Sequence, residues 1–442
     1  VLKITDPLRL YVLWSQGAPG TLSAGARLAH AFGERLDAVG MVRDGVGFRI
    51  PVRQRSVPWR PTIDAVTPRK IELDDARSNI VVAVYDDVMA VRQPWTRYLS
   101  DLQAAAAKRN GRDLLVMVLM TSDNAAPKAW GDIQAIRAPA PAAATATVAV
   151  PATAPASAPA PAAVRASASA STPAPPSTPA SAPSPDGEAD WSPWLRRVML
   201  DVLALSLDRR SDQKDDEPKR ICVFLSHAKA DGENAALLIE GFRRLKPNQR
   251  VNSIDMYFDS SDTLAGTRYD AQFRRAIEHG VFLALVTDAY HTRRWCQWEL
   301  LLAKELQRPI VIWDRSQKGI LRSFPYLGNV PVIRATDVDS KEEPNDAEIE
   351  ELLLALLLEA LRMLVWKDYA DDRIAARTEL SAAGAVAVFA RPPELTDMAY
   401  HRRAKGANII VYPDPPIGQD ERDLLNAADP DVQLLALSEI SR

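Results

Sequence analysis

Cysteine is almost absent from this chain: its 442 residues include two, Cys222 and Cys296. Neither lies in a cluster with metal-ligand spacing, which argues against a disulfide framework or a structural zinc site. The five histidines form no HExxH pattern, so no metal site is expected. An excess of basic charge is also missing. Lys and Arg total 54 against 57 Asp and Glu, for a net charge of −3. That balance offers little to a phosphate backbone, and direct contact with nucleic acid is not expected. No apolar run suits a membrane span. The most apolar stretch, residues 352–366, contains Glu359 and Arg362 and falls short of the roughly 20 residues a bilayer requires. It reads as a buried helix, and no membrane partner is expected. The first apolar segment is interrupted by Asp6, Arg9, Ser15 and Gln16, unlike the apolar core of a signal peptide. The expected location is the cytoplasm. A dinucleotide fingerprint is missing too: Gly17-Ala18-Pro19-Gly20 lacks the GxGxxG spacing and reads as a tight strand-to-helix turn.

What is present is ordinary globular material, 47% hydrophobic and 25% charged, in enough length for two to four units. One segment stands apart. Residues 138–185 are Ala, Pro, Ser, Thr and Val with a single charge, Arg165. Proline-rich chain with few large apolar groups cannot bury a core, so residues 138–190 are assigned as a linker. The organisation read from the sequence is an N-terminal α/β unit over 1–137, the linker, an amphipathic helix and charged connector over 191–216, a domain over 217–370, and a small C-terminal α/β unit over 371–442. The linker makes the N-terminal unit read as a separable regulator that reaches a partner. The C-terminal unit has too little core to stand alone and is expected to dock on a neighbour.

Strands and helices alternate through the middle domain. Strands are expected at 221–226, 254–258, 281–287, 309–313 and 330–334. Between them, Ala235, Leu238, Ile239, Phe242 and Leu245 recur at helical spacing after Asp231, a candidate helix cap, and Tyr269, Phe273 and Ile277 stand four apart. A further helix is expected over 295–306, and a long one over 347–366 closes the domain. Alternating strands and helices predict an α/β fold with a flavodoxin-like, doubly wound parallel sheet. Strands at 8–14, 80–85 and 114–120, with helices at 23–36 and 96–108, give the N-terminal unit a similar character.

Four segments of the middle domain carry a family resemblance: Ile221-Cys222-Val223-Phe224-Leu225-Ser226-His227; Tyr257-Phe258-Asp259 followed by Leu264, Gly266 and Phe273; Trp295-Cys296-Gln297-Trp298-Glu299-Leu300; and Gln307-Arg308-Pro309-Ile310-Val311-Ile312-Trp313. In this order they resemble the TIR (Toll/interleukin-1 receptor) domain family, of the bacterial NAD-cleaving type, over about a third of the chain. The resemblance implies that Glu299, in the WCxxEL helix, is the catalytic acid. It implies that Ser226, His227, Lys229, Asp259 and Trp295 contact substrate, and that Ser261, Asp262 and Gly266 belong to a loop through which copies assemble. That loop departs from the family pattern, with Ser261-Asp262 and Ala265-Gly266 where Arg-Asp and Pro-Gly are usual.

The chemistry so implied needs no cofactor, since NAD is the substrate. An ordinary glycosidase uses two carboxylates. Nicotinamide leaves NAD as a neutral molecule, so no proton donor is required, and one anion beside the ribose cation suffices. By position alone Glu299 also reads as a solvated acid near a helix start, and Trp295 as core. Cys296 has no histidine partner in the motif and reads as a buried residue rather than a nucleophile. The resemblance implies an NAD glycohydrolase releasing nicotinamide and ADP-ribose or a cyclic product, activated by self-association in bacterial antiviral defence, with a separate sensor as a further partner. The alternative is a non-catalytic scaffold that binds other TIR domains. Finally, Val82-Ala83-Val84-Tyr85-Asp86-Asp87 and Trp95-Thr96-Arg97-Tyr98-Leu99 echo Leu283–Asp288 and Trp295–Glu299. They suggest a degenerate copy with Leu99 in place of the acid, set against a chance pairing of two apolar strands each followed by Trp.

Overall fold

The computed structural model describes residues 6–15, 23–37, 48–56, 67–120, 135–137, 190–212, 221–245, 254–257, 269–317, 328–336, 344–382, 385–403 and 407–440. Residues 138–189 of the segment assigned as linker, the Gly17–Gly20 turn and the 259–266 loop lie outside them.

In the N-terminal unit β1 (Asp6–Trp14) leads to α1 (Ala24–Asp37) and β2 (Val52–Arg55), then β3 (Ala76–Tyr85), α2 (Asp87–Val91), α3 (Gln93–Ala107), β4 (Asp113–Leu119) and β5 (Ala135–Ile136). The helix α4 (Ser192–Asp212) follows. The middle unit contains β6 (Ile221–Ser226), α5 (Gly232–Arg244), β7 (Ile254–Tyr257), α6 (Tyr269–His279), β8 (Gly280–Val286), α7 (Arg294–Glu305), β9 (Ile310–Asp314), β10 (Val332–Arg334) and α8 (Asp346–Ala375). The C-terminal unit comprises α9 (Thr378–Ala382), β11 (Val386–Val388), α10 (Leu395–Arg403), β12 (Ile409–Tyr412), α11 (Gln419–Ala428), β13 (Gln433–Ala436) and α12 (Leu437–Ile440).

Among the described residues there are three sheets, and the strand pairs in each are parallel. The two large ones share one topology. Their orders, β2-β1-β3-β4-β5 and β7-β6-β8-β9-β10, both place the first strand between the second and the third. This is the flavodoxin-like order of doubly wound sheets. The echo seen in the sequence falls at equivalent places: Tyr85 pairs with Leu119 on β4 and Val286 with Asp314 on β9. Two strands escaped the sequence reading. β2 (VRQR) carries a polar pattern, and β5 has two residues.

The central strands are buried on both faces, which is why β8 (GVFLALV) is an unbroken apolar run. Alternate residues divide between two cores. Val223, Leu225, Val281, Leu283, Leu285, Val311 and Trp313 point to the side of α5 and α8. Phe224, Phe282, Ala284, Val286, Ile310 and Ile312 meet Phe273 and Ile277 of α6 and Cys296, Leu300 and Ala303 of α7. The apolar face proposed for α5 is buried throughout.

The helix α8 joins the units. It touches β1 of the first sheet, β8 and β9 of the second, and β11 and α12 of the third unit, and it packs along α4. The expected apolar helix is thus real but extends well past Trp366. It begins at an Asn345 cap that accepts from the Glu348 amide. Its acidic residues pair with neighbours on several elements: Glu351 with Arg35 of α1, Glu350 with Arg196 of α4, Asp346 with Arg244 of α5, and Asp372 with Arg77 of β3. The small C-terminal sheet is docked through Trp366, whose indole donates to the Phe389 carbonyl at 2.7 Å, and through Lys304 of α7, which donates to both carboxylate oxygens of Glu394 at 2.8 Å. No described helix is long and apolar enough to cross a membrane.

Candidate active site

In a doubly wound sheet, ligands bind beyond the carboxyl ends of the strands, where the order reverses. In the middle sheet that point lies between β6 and β8. Ser226 is the last residue of β6 and pairs in register with Ala284. Beyond β8 the chain runs through Thr287 and a 3-10 turn at Tyr290–Thr292 into α7, whose second turn carries Glu299.

These elements bring three polar side chains together in a dry place. Ser226 is 1% exposed, Tyr290 0% and Glu299 8%. The Ser226 hydroxyl donates to Glu299 Oε2 at 2.6 Å and lies 2.9 Å from the Tyr290 hydroxyl. Glu299 is therefore not the solvated acid that its position near a helix start suggested. Its carboxylate is largely withdrawn from water and tied to the end of β6. Burial pushes the Tyr290 phenol well above its ordinary range, opposed by its hydrogen bond with Ser226. Cys296, one turn before Leu300, is buried against the same group. Its thiol is pushed up to about 12, first by burial and then by the Glu299 charge. A thiol so held stays protonated at neutral pH, consistent with a buried residue rather than a nucleophile.

A second bridge closes the loop ends. Thr287 donates to Asp231 Oδ2 at 2.6 Å and accepts from the Ala289 amide. Asp231 was read as a cap for α5. It occupies the capping position but makes no side-chain cap bond, because its carboxylate is turned to Thr287 on the neighbouring strand end.

The remaining residues singled out by sequence distribute differently. Ser226 is buried and bonded to Glu299. His227 is half-buried and Lys229 exposed, just after β6. Trp295 is not core: it is 58% exposed at the start of α7 and meets Trp298 edge to face at 5.4 Å. Asp259, Ser261, Asp262 and Gly266 lie outside the described residues. The sequence reading did not single out Tyr290 or Thr287 as site residues. The signal for Tyr290 was its place in the turn between the β8 strand end and the Trp-Cys helix start.

The corresponding place in the N-terminal sheet is built differently. Leu99 and Trp95 are each 1% exposed, within the core. A hydroxyl–carboxylate pair forms there between Ser15 and Asp86, and Asp86 also serves as the cap of α2, accepting from the Met89 amide at 2.8 Å.

Among the described residues no group of three or more His, Cys, Asp or Glu side chains is placed to hold a metal ion. An open cavity of about 560 Å³, lined by Asn408, Arg422, Asn426 and Gln433 among others, lies on the C-terminal unit and shares no residue with the Glu299 cluster. The arrangement around Glu299 is one that can hold a single oriented anion beside a developing cation. Comparison with known proteins adds no assignment: no protein-family model matches the chain, and no curated protein matches it.

Proposed function

We propose that the middle unit is a TIR-type domain that cleaves the N-glycosidic bond of NAD, with Glu299 as the catalytic residue. The observation that carries this reading is a carboxylate, buried and hydrogen-bonded to Ser226, at the carboxyl end of a doubly wound sheet where its order reverses. The bond from the ribose C1′ to the nicotinamide nitrogen breaks with its electron pair passing to the ring, which leaves uncharged. The ribose is left as an oxocarbenium-like cation, and a carboxylate in a low-dielectric site stabilises it more strongly than the same group in water. Water then adds at C1′ and releases a proton, giving ADP-ribose; attack by a group of the same molecule gives a cyclic product. Trp295 offers an aromatic face one helical turn from Glu299, and Lys229 a cation for phosphate.

The exposure of Trp295 supports activation by assembly. A large aromatic left 58% exposed beside the glutamate is covered when substrate and a neighbouring copy meet there. The loop at 259–266 would supply that neighbour's contact. On this reading the N-terminal unit is a degenerate TIR-like copy without chemistry, since Leu99 stands in the acid's place.

The test is to incubate the purified full chain with NAD, alone and with an assembly trigger such as a crowding agent, and to separate the products by chromatography. Nicotinamide with ADP-ribose or its cyclic form is expected. Glu299→Gln, nearly isosteric, should lower turnover on the order of a hundredfold or more. Parent-like turnover by the folded variant would remove Glu299 from the mechanism. Binding between copies with no NAD consumed would establish the scaffold instead. Gly266→Val should lower specific activity together with particle size, because a β-branched residue restricts the loop. Full activity in a strictly monomeric sample would exclude the assembly step.

A further inference from the structure

We propose that Tyr290 and Ser226 form a hydroxyl relay that positions Glu299 and holds it ionised, so that both act as positioning residues for the reaction. This rests on the reading of Glu299 as the catalytic carboxylate.

The argument begins with what each group can do. An ionised carboxylate only accepts hydrogen bonds, and a hydroxyl has one proton to donate. Ser226 lies 2.6 Å from Glu299 Oε2, so its proton is committed there. With Glu299 ionised, as the proposed chemistry requires, the contact of 2.9 Å between Ser226 Oγ and the Tyr290 hydroxyl runs the other way, with the phenol donating. The chain is directional: Tyr290 donates to Ser226, and Ser226 to Glu299. Cys296 is also within hydrogen-bonding reach of Ser226, whose oxygen can accept a second bond beside that from Tyr290. Each bond in such a series polarises the next and strengthens it in a low dielectric.

The fold supplies the rigidity. Ser226 sits in the register of a central strand beside Ala284. Tyr290 is fully buried in a turn braced by backbone bonds from its amide to the Thr287 carbonyl and from the Arg293 amide to its own. The glutamate comes from a separate element, α7. A carboxylate on one helix is thereby referenced to a strand and to a turn, which fixes its orientation more tightly than α7 could alone. Ser226 is 1% exposed, so its bond to Glu299 is formed away from water.

The test uses the full chain with Tyr290→Phe, Ser226→Ala and the double variant, each removing hydroxyl groups from otherwise similar shapes. If NAD is cleaved, Tyr290→Phe should reduce kcat about tenfold with KM little changed, and Ser226→Ala should reduce it further. The double variant should be no worse than Ser226→Ala, because the first link is idle once the second is gone. The acidic limb of the pH–rate profile should move to higher pH, since losing a donor disfavours the ionised carboxylate. Parent-like kcat and pH profile in both single variants, or additive losses in the double variant, would overturn the relay. Should Tyr290→Phe not be recovered folded, Ser226→Ala carries the comparison. A second readout separates this proposal from the NAD reading. The carboxyl resonance of Glu299, assigned by its loss in Glu299→Gln, is titrated by carbon NMR in the parent and the variants. With no NAD cleavage by the parent but an upward move of the Glu299 midpoint in the variants, the relay stands and the substrate assignment fails. An unmoved midpoint in the folded variants rejects the relay whatever the substrate.

Discussion

Glu299 shows how far a residue's surroundings can depart from its sequence position. An acid in the second turn of a helix is commonly solvated and placed to meet the helix dipole. Here it is buried against Ser226, since the helix that carries it packs its Cys296 and Leu300 into the core of the sheet. Cys296 shares that burial, and its chemistry follows. With its thiol pushed up to about 12 by burial and then by the Glu299 charge, the thiolate fraction at neutral pH is far below that of an ordinary thiol. Cys296 in the folded chain should therefore resist iodoacetamide at pH 8, while the unfolded chain alkylates readily; mass spectrometry of each form decides the point. Rapid alkylation of the native protein at Cys296 would show that the site is more open than described. Trp295 is the opposite case. Its aromatic character allowed a place in the core, but its position at the first turn of α7 leaves it in solvent.

At the scale of elements, two junctions control where α7 lies. The first is the entry to β8. A side chain at Gly280 would place its Cβ 2.8 Å from the Ala276 carbonyl oxygen and 2.9 Å from that of Cys222. Both are backbone atoms that cannot step aside. Gly280→Ala should thus destabilise the protein by about 1–3 kcal/mol, measured by thermal unfolding, and an unchanged Tm would show that β6 and α6 can part there. The second junction lies where α7 meets α10. Lys304 and Glu394 pair across it, with Asp397 and the buried Arg391 close by. Burial pushes the Asp397 carboxyl up to about 6 from 3.8. Between those values the folded chain keeps a proton that the unfolded chain has released. Stability from this group therefore falls as pH rises through the window. Asp397→Asn removes that titration. The variant should gain on the order of 1–3 kcal/mol relative to the parent between pH 4 and pH 7 in urea unfolding. A difference that stays constant with pH would show that Asp397 titrates normally.

Across the whole molecule the decisive element is α8. Its contacts reach all three sheets, and one continuous apolar cluster includes Leu13 and Val116 of the first unit, Leu203 of α4, Leu285 of the second unit and Ile409 of the third. This argues against the separable regulator that the linker's composition suggested. A chain beginning at Trp191 would leave the side of α4 and α8 that packs on β4 and β1 in water, a large apolar exposure. Such a truncated chain should be aggregation-prone and bind the dye ANS, where the full chain does not. A soluble, cooperatively unfolding product would instead show that the N-terminal sheet is dispensable. The two large sheets share one strand order, with a buried carboxylate, Glu299, beside one and an apolar residue, Leu99, beside the other.

Periodicity determined most of the local structure by itself. A strand buried on both faces, such as β8, reads as an unbroken apolar run, and amphipathic helices such as α5 repeat their apolar residues at helical spacing; both patterns are legible without coordinates. The same local reading placed Glu299 on a helix and Ser226 at a strand end. It could not join them, because they are 73 residues apart and their approach depends on strand order, which no local pattern encodes. Strand order likewise turned Asp231 from a cap to a partner of Thr287. Tertiary packing decided that Tyr290 lies behind the glutamate, that Trp295 does not, and that α8 belongs to three units at once. An all-round apolar helix specifies that it must be covered, and only the assembled fold decides by what.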